Sequence, residues 1–208
     1  MGYLTIPNSC KTPLRYPGGK SRATKRMFEY LPDMSNITHY REGFLGGGSV
    51  AFAFCRSHPG KDVWVNDLYT PLYNFWCVMQ NSSQELSLHL QNIKNEHNTD
   101  ELAKELFLQS KETINEFKDT DFNLAAAFFI VNKCSFSGLT QSSSFSKLAS
   151  RGNFTLKGIS NLVFYGHMMQ GWKITNQCYS TLLTDDPKTF LYLDPPYDIK
   201  DSLYGNKG

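Results

Sequence analysis

The sequence predicts an α/β fold with a mainly parallel sheet. Three observations predict it. Short runs rich in β-formers alternate with longer segments of helical period. A glycine-rich turn follows the first such run, Gly43-Phe44-Leu45-Gly46-Gly47-Gly48. Aspartates close two of the others, Asp67 and Asp194. In parallel sheets ligands bind at the carboxyl ends of strands, and all three features fall at such ends.

The elements follow in chain order. The segment up to Gly19 is irregular, with Pro7, Pro13 and Pro17. A helix is predicted from Ser21, as N-cap, to Leu31, stopped by Pro32. Ile37 to Glu42 reads as the first strand, and a helix runs from the glycine turn through Cys55. Lys61 to Asn66 alternates around Val63 and Val65 as the second strand. Thr70-Pro71 pairs a cap with proline at the first helical position. Ser82 and Glu85 form a capping-box pattern before Leu86, Leu90 and Ile93. Further helices are predicted over Asp100 to Phe117 and Asn123 to Asn132. From Lys133 to Ser160 serine, glycine and basic residues predict a loop-rich lobe. Trp172 to Tyr179 and Phe190 to Asp194 read as the third and fourth strands.

With 208 residues, 40% hydrophobic and 14% aromatic, the chain suits one domain with a lobe inserted. No apolar run approaches the ~20 residues of a membrane span, and no basic-then-apolar signal pattern opens the chain. Met1-Gly2 begins like a myristoylation signal, but Ile6 stands where Ser or Thr is required. The cysteines, Cys10, Cys55, Cys77, Cys134 and Cys178, have no metal-type spacing and read as buried thiols of a reduced, cytoplasmic protein. The histidines form no cluster, so no metal is expected. A net charge of +2 permits a nucleic-acid partner without requiring one. Basic residues crowd locally at Lys11, Arg15, Lys20, Arg22, Lys25 and Arg26, and again at Lys133, Lys147, Arg151 and Lys157.

Asp194-Pro195-Pro196-Tyr197 ends the fourth strand. Each proline fixes φ and lacks an N–H, and each biases its predecessor towards extended backbone. The result is a stiff tip with outward carbonyls, a carboxylate at one end and an aromatic ring at the other. Such a tip accepts hydrogen bonds from an exocyclic amine while the ring stacks on the base that carries it. Gly46-Gly47-Gly48-Ser49-Val50-Ala51 fits a nucleoside-cofactor turn, with Asp67 spaced to grip ribose hydroxyls. That pattern serves nicotinamide dinucleotides and S-adenosylmethionine alike. Pro17-Gly18-Gly19-Lys20-Ser21 resembles the tail of a phosphate loop, but Leu14 replaces the required first glycine. Asn132 to Leu139 ends a helix with a basic residue, an aromatic and a glycine turn, a combination suited to a DNA backbone and a base wedge or to simple helix termination.

Together these motifs resemble the Dam-type (class alpha) N6-adenine DNA methyltransferases. Leu14-Arg15-Tyr16-Pro17-Gly18-Gly19-Lys20 is similar to the family's N-terminal cofactor motif and Glu42 to Ser49 to its glycine motif. Asn66-Asp67 matches the ribose-binding acid, and Asp194 to Tyr197 the catalytic motif. The resemblance implies a Rossmann-like S-adenosylmethionine-dependent methyltransferase fold acting on double-stranded DNA, without metal. Tyr16, Lys20, Glu42, Phe44, Gly46, Gly48 and Asp67 would line the S-adenosylmethionine pocket, together with Asp194. Asp194, Pro195, Pro196 and Tyr197 would form the catalytic tip, with Tyr197 stacked on a flipped adenine. Lys133, Phe136, Ser137, Gly138, Leu139, Gln141 and Arg151 would meet DNA, with Phe136 the wedge. Residues 1–80 and 170–208 would be the catalytic domain and 81–169 an inserted target-recognition lobe.

This chain departs from the family pattern at several places. Gly43 stands where proline is usual, and Gln141 where GATC-reading members carry arginine, so GATC is not implied. Ser180 or Thr181 stands where an acid is expected after the third strand. The family adds strands beyond the tetrapeptide to complete a seven-stranded sheet, whereas this sequence ends at Gly208. The resemblance therefore leads one to expect an incomplete sheet, in strand order 3-2-1-4, from a fragment or interrupted gene of impaired stability and activity. A catalytically impaired remnant that binds cofactor or DNA, a cytosine-N4 or RNA methyltransferase, and a nicotinamide-dependent oxidoreductase remain the alternatives. A restriction endonuclease partner, phage self-protection or regulation would each suit such an enzyme, in the cytoplasm of a bacterial or phage-infected cell.

Overall fold

A computed structural model describes residues 12–16, 18–138 and 143–196. Four parallel strands form one sheet: β1 (His39–Glu42), β2 (Asp62–Asn66), β3 (Lys173–Thr175) and β4 (Thr189–Tyr192), in the order β3-β2-β1-β4. The register aligns Glu42 with Val65 on one side and with Tyr192 on the other, so the strand ends lie level. Tyr40, Glu42, Val63 and Val65 are buried on one face. The other face carries Trp64, with the Arg41 guanidinium 5.0 Å and the Lys173 ammonium 3.6 Å from its ring centroid.

The helices are α1 (Thr24–Phe28), α2 (Ser49–Ser57), α3 (Thr70–Glu96), α4 (Asp100–Glu116), α5 (Phe122–Cys134), α6 (Lys147–Asn153), α7 (Leu156–Ser160) and α8 (Leu162–Met168). α5 is buried from Leu124 to Cys134 and packs between α3 and α4. Helices buried all round need apolar residues on every side, as Leu124-Ala125-Ala126-Ala127-Phe128-Phe129-Ile130-Val131 supplies. Trp76, Phe52, Tyr165 and Trp172 interlock where α2, α3 and α8 meet.

Several boundaries differ from expectation. α1 is only one short turn-and-a-half, and Ser21 does not cap it: its hydroxyl bonds Ser49 Oγ at 3.0 Å. Thr70 is the first helical residue rather than the cap, and its hydroxyl faces Asn176 Oδ1 at 3.3 Å. Ser82, by contrast, divides α3 as its capping pattern predicts, with one helical stretch ending and another beginning there. It sits at a kink within α3, where its backbone (φ −142°, ψ 36°) leaves the helical region. The segment predicted as loop-rich contains α6 and α7, started by Ser146 and Thr155 side chains that accept from Ala149 and Gly158 amides. Both helices are too short for their periodicity to show against the serines and glycines. The third strand stops at Thr175, and Tyr179–Leu182 forms a 3-10 turn containing Ser180 and Thr181. Cys178 is exposed, contrary to the expectation of buried thiols.

Candidate active site

The loops after β1, β2 and β4 enclose a cavity with about 830 Å³ of empty space, part of it open to solvent. Glycine geometry shapes its floor. Gly46 (φ +49°) and Gly48 (φ +72°) occupy the left-handed region, which glycine alone adopts freely. A Cβ on Gly46 would stand 3.0 Å from the Tyr16 ring, so this turn and Tyr16 pack face to face. Trp76 Nε1 donates to the Gly46 carbonyl at 3.1 Å and pins the turn to α3.

Asp67 is part of the turn's scaffold. Its Oδ2 accepts from the Gly46 amide (2.8 Å) and its Oδ1 from the Tyr69 amide (3.0 Å). Burial pushes its carboxyl up to about 6, partly offset by these two amides. Glu42, 2% exposed, accepts from the Tyr40 hydroxyl at 2.6 Å. Burial pushes Glu42 up to about 8; the Tyr40 and Ala51 donors oppose the rise, and the carboxylates of Asp194 and Asp67 add to it. Across the cavity Asp194 forms an ion pair with Lys20, whose ammonium also donates to the Gly18 carbonyl at 3.0 Å. Pro195 and Pro196 are exposed at its rim.

The structure thus brings Tyr16, Lys20, Glu42, Phe44, Gly46 and Asp67 to one cavity, with Asp194, Pro195 and Pro196 opposite. Gly48 stands behind the lining at the N-cap of α2, where a Cβ would press on Phe52 at 3.0 Å. Gly43, in place of the family's proline, donates its amide to the Tyr192 carbonyl (3.2 Å), and a Cβ there would come within 2.8 Å of Leu193. Proline would lose that bond and meet that side chain. Tyr197, Leu139 and Gln141 lie outside the described residues, as does Pro17 of the N-terminal motif.

The candidate DNA-contacting residues divide. Phe136 is 68% exposed, next to Ser137 in a left-handed conformation (φ 59°). Gly138 is buried against Arg15. Arg151 is exposed, but Asp100 holds it through Nε and Nη2 at 2.9 and 2.6 Å. Lys133 is not a surface cation: it is buried, 5.3 Å from the Phe129 ring centroid. Burial, then the charge of Arg15, lowers its ammonium to about 8.

Two asparagines hold the site together, and sequence reasoning gave neither a structural role. Asn66, 1% exposed, donates to the carbonyls of Gly43 (3.1 Å) and Gln177 (2.9 Å) and accepts from Thr175 Oγ1 (2.8 Å), fastening the loops after three strands. Asn132, fully buried, exchanges hydrogen bonds with the Arg15 backbone (3.0 and 2.6 Å) and donates to the Gly138 carbonyl (3.0 Å). It joins the loop carrying Tyr16 to the turn carrying Phe136. The available signal was one polar residue at the end of an apolar run, at Val65-Asn66 and again at Val131-Asn132.

Parallel strands, a glycine turn after the first and a braced acid after the fourth define an α/β, Rossmann-like methyltransferase. The chain belongs to the D12 class N6 adenine-specific DNA methyltransferase family, whose family model matches residues 16–205. It is similar to the Type II methyltransferase M.MjaIII of Methanocaldococcus jannaschii, 27% identical over 204 residues, covering 88% of this chain and 68% of that protein. It also resembles the DNA N-6-adenine-methyltransferase of Escherichia phage P1, 28% identical over 127 residues, covering 61% of this chain but only 15% of that protein. Membership makes the chain an adenine-specific DNA methyltransferase by class, with DNA as substrate and a methyl donor as co-substrate. Among the described residues, no helix is long and apolar enough to cross a membrane, and no group of three or more His, Cys, Asp or Glu is arranged for a metal.

Proposed function

We propose that this chain transfers a methyl group from S-adenosylmethionine to N6 of adenine in double-stranded DNA, using Asp194 and the Pro195 carbonyl to position the amine. One observation carries the reading: Asp194 faces the same cavity as the Gly46 turn and Asp67. The cavity suits the donor chemically. Its glycine floor admits a ligand close to backbone, the Tyr16 and Phe44 rings offer stacking faces, and three carboxyls face a site for a cationic sulfur. S-adenosylmethionine supplies a methyl group activated by that positively charged sulfur.

Asp67 anchors the turn through two amides and retains acceptor capacity towards ribose hydroxyls. Lys20 orients the Asp194 carboxylate through Oδ2 and leaves Oδ1 to accept from the adenine amine. Accepting those N–H bonds localises the nitrogen lone pair for in-line attack. As the N–C bond forms and the S–C bond breaks, the nitrogen's proton passes towards the Asp194 side and thence to solvent. Tyr197 stacks on the extruded base. Residues 81–169 act as the target-recognition lobe, with Phe136 as wedge and Gln141 among the reading residues. The Type II name of the archaeal relative supports a partner restriction endonuclease as the setting, in the compartment that holds the DNA.

The test is transfer of a tritiated methyl group from S-adenosylmethionine to duplex DNA, with the product nucleoside identified by mass. N6-methyladenine is the expected product. Asp194→Ala should cut turnover on the order of 10²-fold or more while leaving donor affinity within about threefold. Methyl on cytosine, or an Asp194→Ala variant that turns over normally, would overturn the assignment.

A further inference from the structure

A second cavity adjoins the first and shares with it Tyr16, Gly18, Gly19 and Ser49. Its chemistry differs. Arg15 and Arg22 line it with the hydroxyls of Thr12, Ser21, Ser49 and Ser137, and none of its described lining residues is acidic. Ser49 is the first residue of the nine-residue α2, so the positive end of a helix dipole faces the same space. Arg22 has no hydrogen-bond or ion-pair partner among the described residues. Arg15 uses Nη1 on the Ser135 carbonyl (2.9 Å), and its other guanidinium N–H groups have no partner among the described residues. Behind it lies Lys133, a buried cation with no acidic partner among the described residues. Cations gathered around hydroxyls without a counter-charge leave an electrostatic deficit that an anion makes good.

We propose that this cavity binds a backbone phosphate of the DNA strand whose adenine enters the neighbouring cavity. The inference rests on DNA being the substrate. The shared wall supports it, because a base extruded into one cavity carries its own phosphates along the strand into adjoining space. Arg15 and Arg22 neutralise the phosphate, and Ser21, Ser49 and Ser137 donate to its oxygens. This assigns Gly18-Gly19-Lys20-Ser21 a place between two ligands: its glycines face both cavities, while Lys20 faces Asp194 and Ser21 the phosphate.

The experiment measures affinity for a mixed-sequence duplex against salt for the wild-type chain, Arg22→Ala, Arg22→Lys and Arg26→Ala. Arg26 is exposed on α1, carries the same charge and does not line the cavity. Arg22→Ala should weaken binding about fivefold to tenfold near 0.1 M salt and lower the salt slope by about 0.9. Arg22→Lys should retain most of the slope, and Arg26→Ala should change it far less. Equal losses for Arg22→Ala and Arg26→Ala would reduce the cavity to a general basic face and overturn the site. So would an unchanged Arg22→Ala, or a wild-type chain that does not bind DNA. The Arg22 pattern without methyl transfer would sink the reaction and leave the phosphate site standing. Normal transfer with an unchanged Arg22→Ala would do the reverse.

Discussion

Replacing Asp67 by alanine sets two opposed energies against each other, and pH separates them. The carboxylate satisfies the Gly46 and Tyr69 amides, and leaving each of these unpaired costs about 1–3 kcal/mol. Against this, the buried carboxyl has its pKa raised from 3.8 to about 6, so ionising it in the folded state costs energy. The sign follows from the raised value: the folded state binds the proton more tightly, so this group's contribution is fully present below the unfolded pKa and is lost as pH rises through the folded one. With those two values the ionisation penalty is roughly 3 kcal/mol at pH 7 and roughly 1 kcal/mol at about pH 4.5. Asp67→Ala is free of that penalty. It should therefore change stability little at neutral pH and be more destabilising, relative to wild type, by about 2 kcal/mol near pH 4.5. Urea unfolding of both proteins across this range reads the difference, with Glu42 replaced by Gln in each so that its titration, which the Asp67 charge influences, drops out. Calorimetric titration with S-adenosylmethionine should show affinity reduced about 10- to 100-fold, the worth of one charge-assisted hydrogen bond. A stability difference that is flat with pH, or that grows as pH rises, would refute the account of Asp67 as a buried, costly anchor.

Glu42→Gln keeps an acceptor for the Tyr40 hydroxyl and removes a carboxyl raised from 4.5 to about 8. Wild type should lose stability relative to this variant as pH climbs from about 5 to about 8, by on the order of 3–5 kcal/mol, and parallel urea midpoints would contradict it. Gly138→Ala places a Cβ 2.4 Å from the Arg15 carbonyl oxygen at φ +76°. Left-handed strain and the clash should together cost on the order of 3 kcal/mol, lowering Tm by about 6–12 °C. Because Arg15 adjoins Tyr16, donor affinity should fall as well. A Tm within about 2 °C of wild type would mean the turn and the Arg15 loop are not packed as described.

Much of the site was legible because its residues are short-range signals. The glycines of Gly46-Gly47-Gly48 announce a positive-φ turn, and Asp194-Pro195-Pro196 announces a rigid tip, whatever surrounds them. The helices over 100–116 and 122–134 were readable from length and apolar content. Lys133 was not. In sequence it is one of several basic residues in a serine-rich stretch, yet it is the last but one residue of α5, a helix buried all round, and that position alone takes it out of solvent. The short helices α6 and α7 were hidden for another reason: at seven and five residues they present too few turns for a period to emerge.

The amino-acid order by itself determined an α/β chain with a glycine turn, an acid after the second strand and a proline-braced acid after the fourth. Each is a property of local backbone and side-chain chemistry. The family resemblance implied the order 3-2-1-4, and the tertiary structure has strands 1 and 4 paired, which carries Asp194 to the cavity of Gly46 across more than a hundred residues of intervening chain. Only the tertiary structure decided the environment of each charge: Glu42 and Asp67 raised by burial, Arg151 held by Asp100, Arg22 facing a basic hollow. Pairing, burial and electrostatic surroundings depend on residues distant in the chain, and no local pattern encodes which of them will meet.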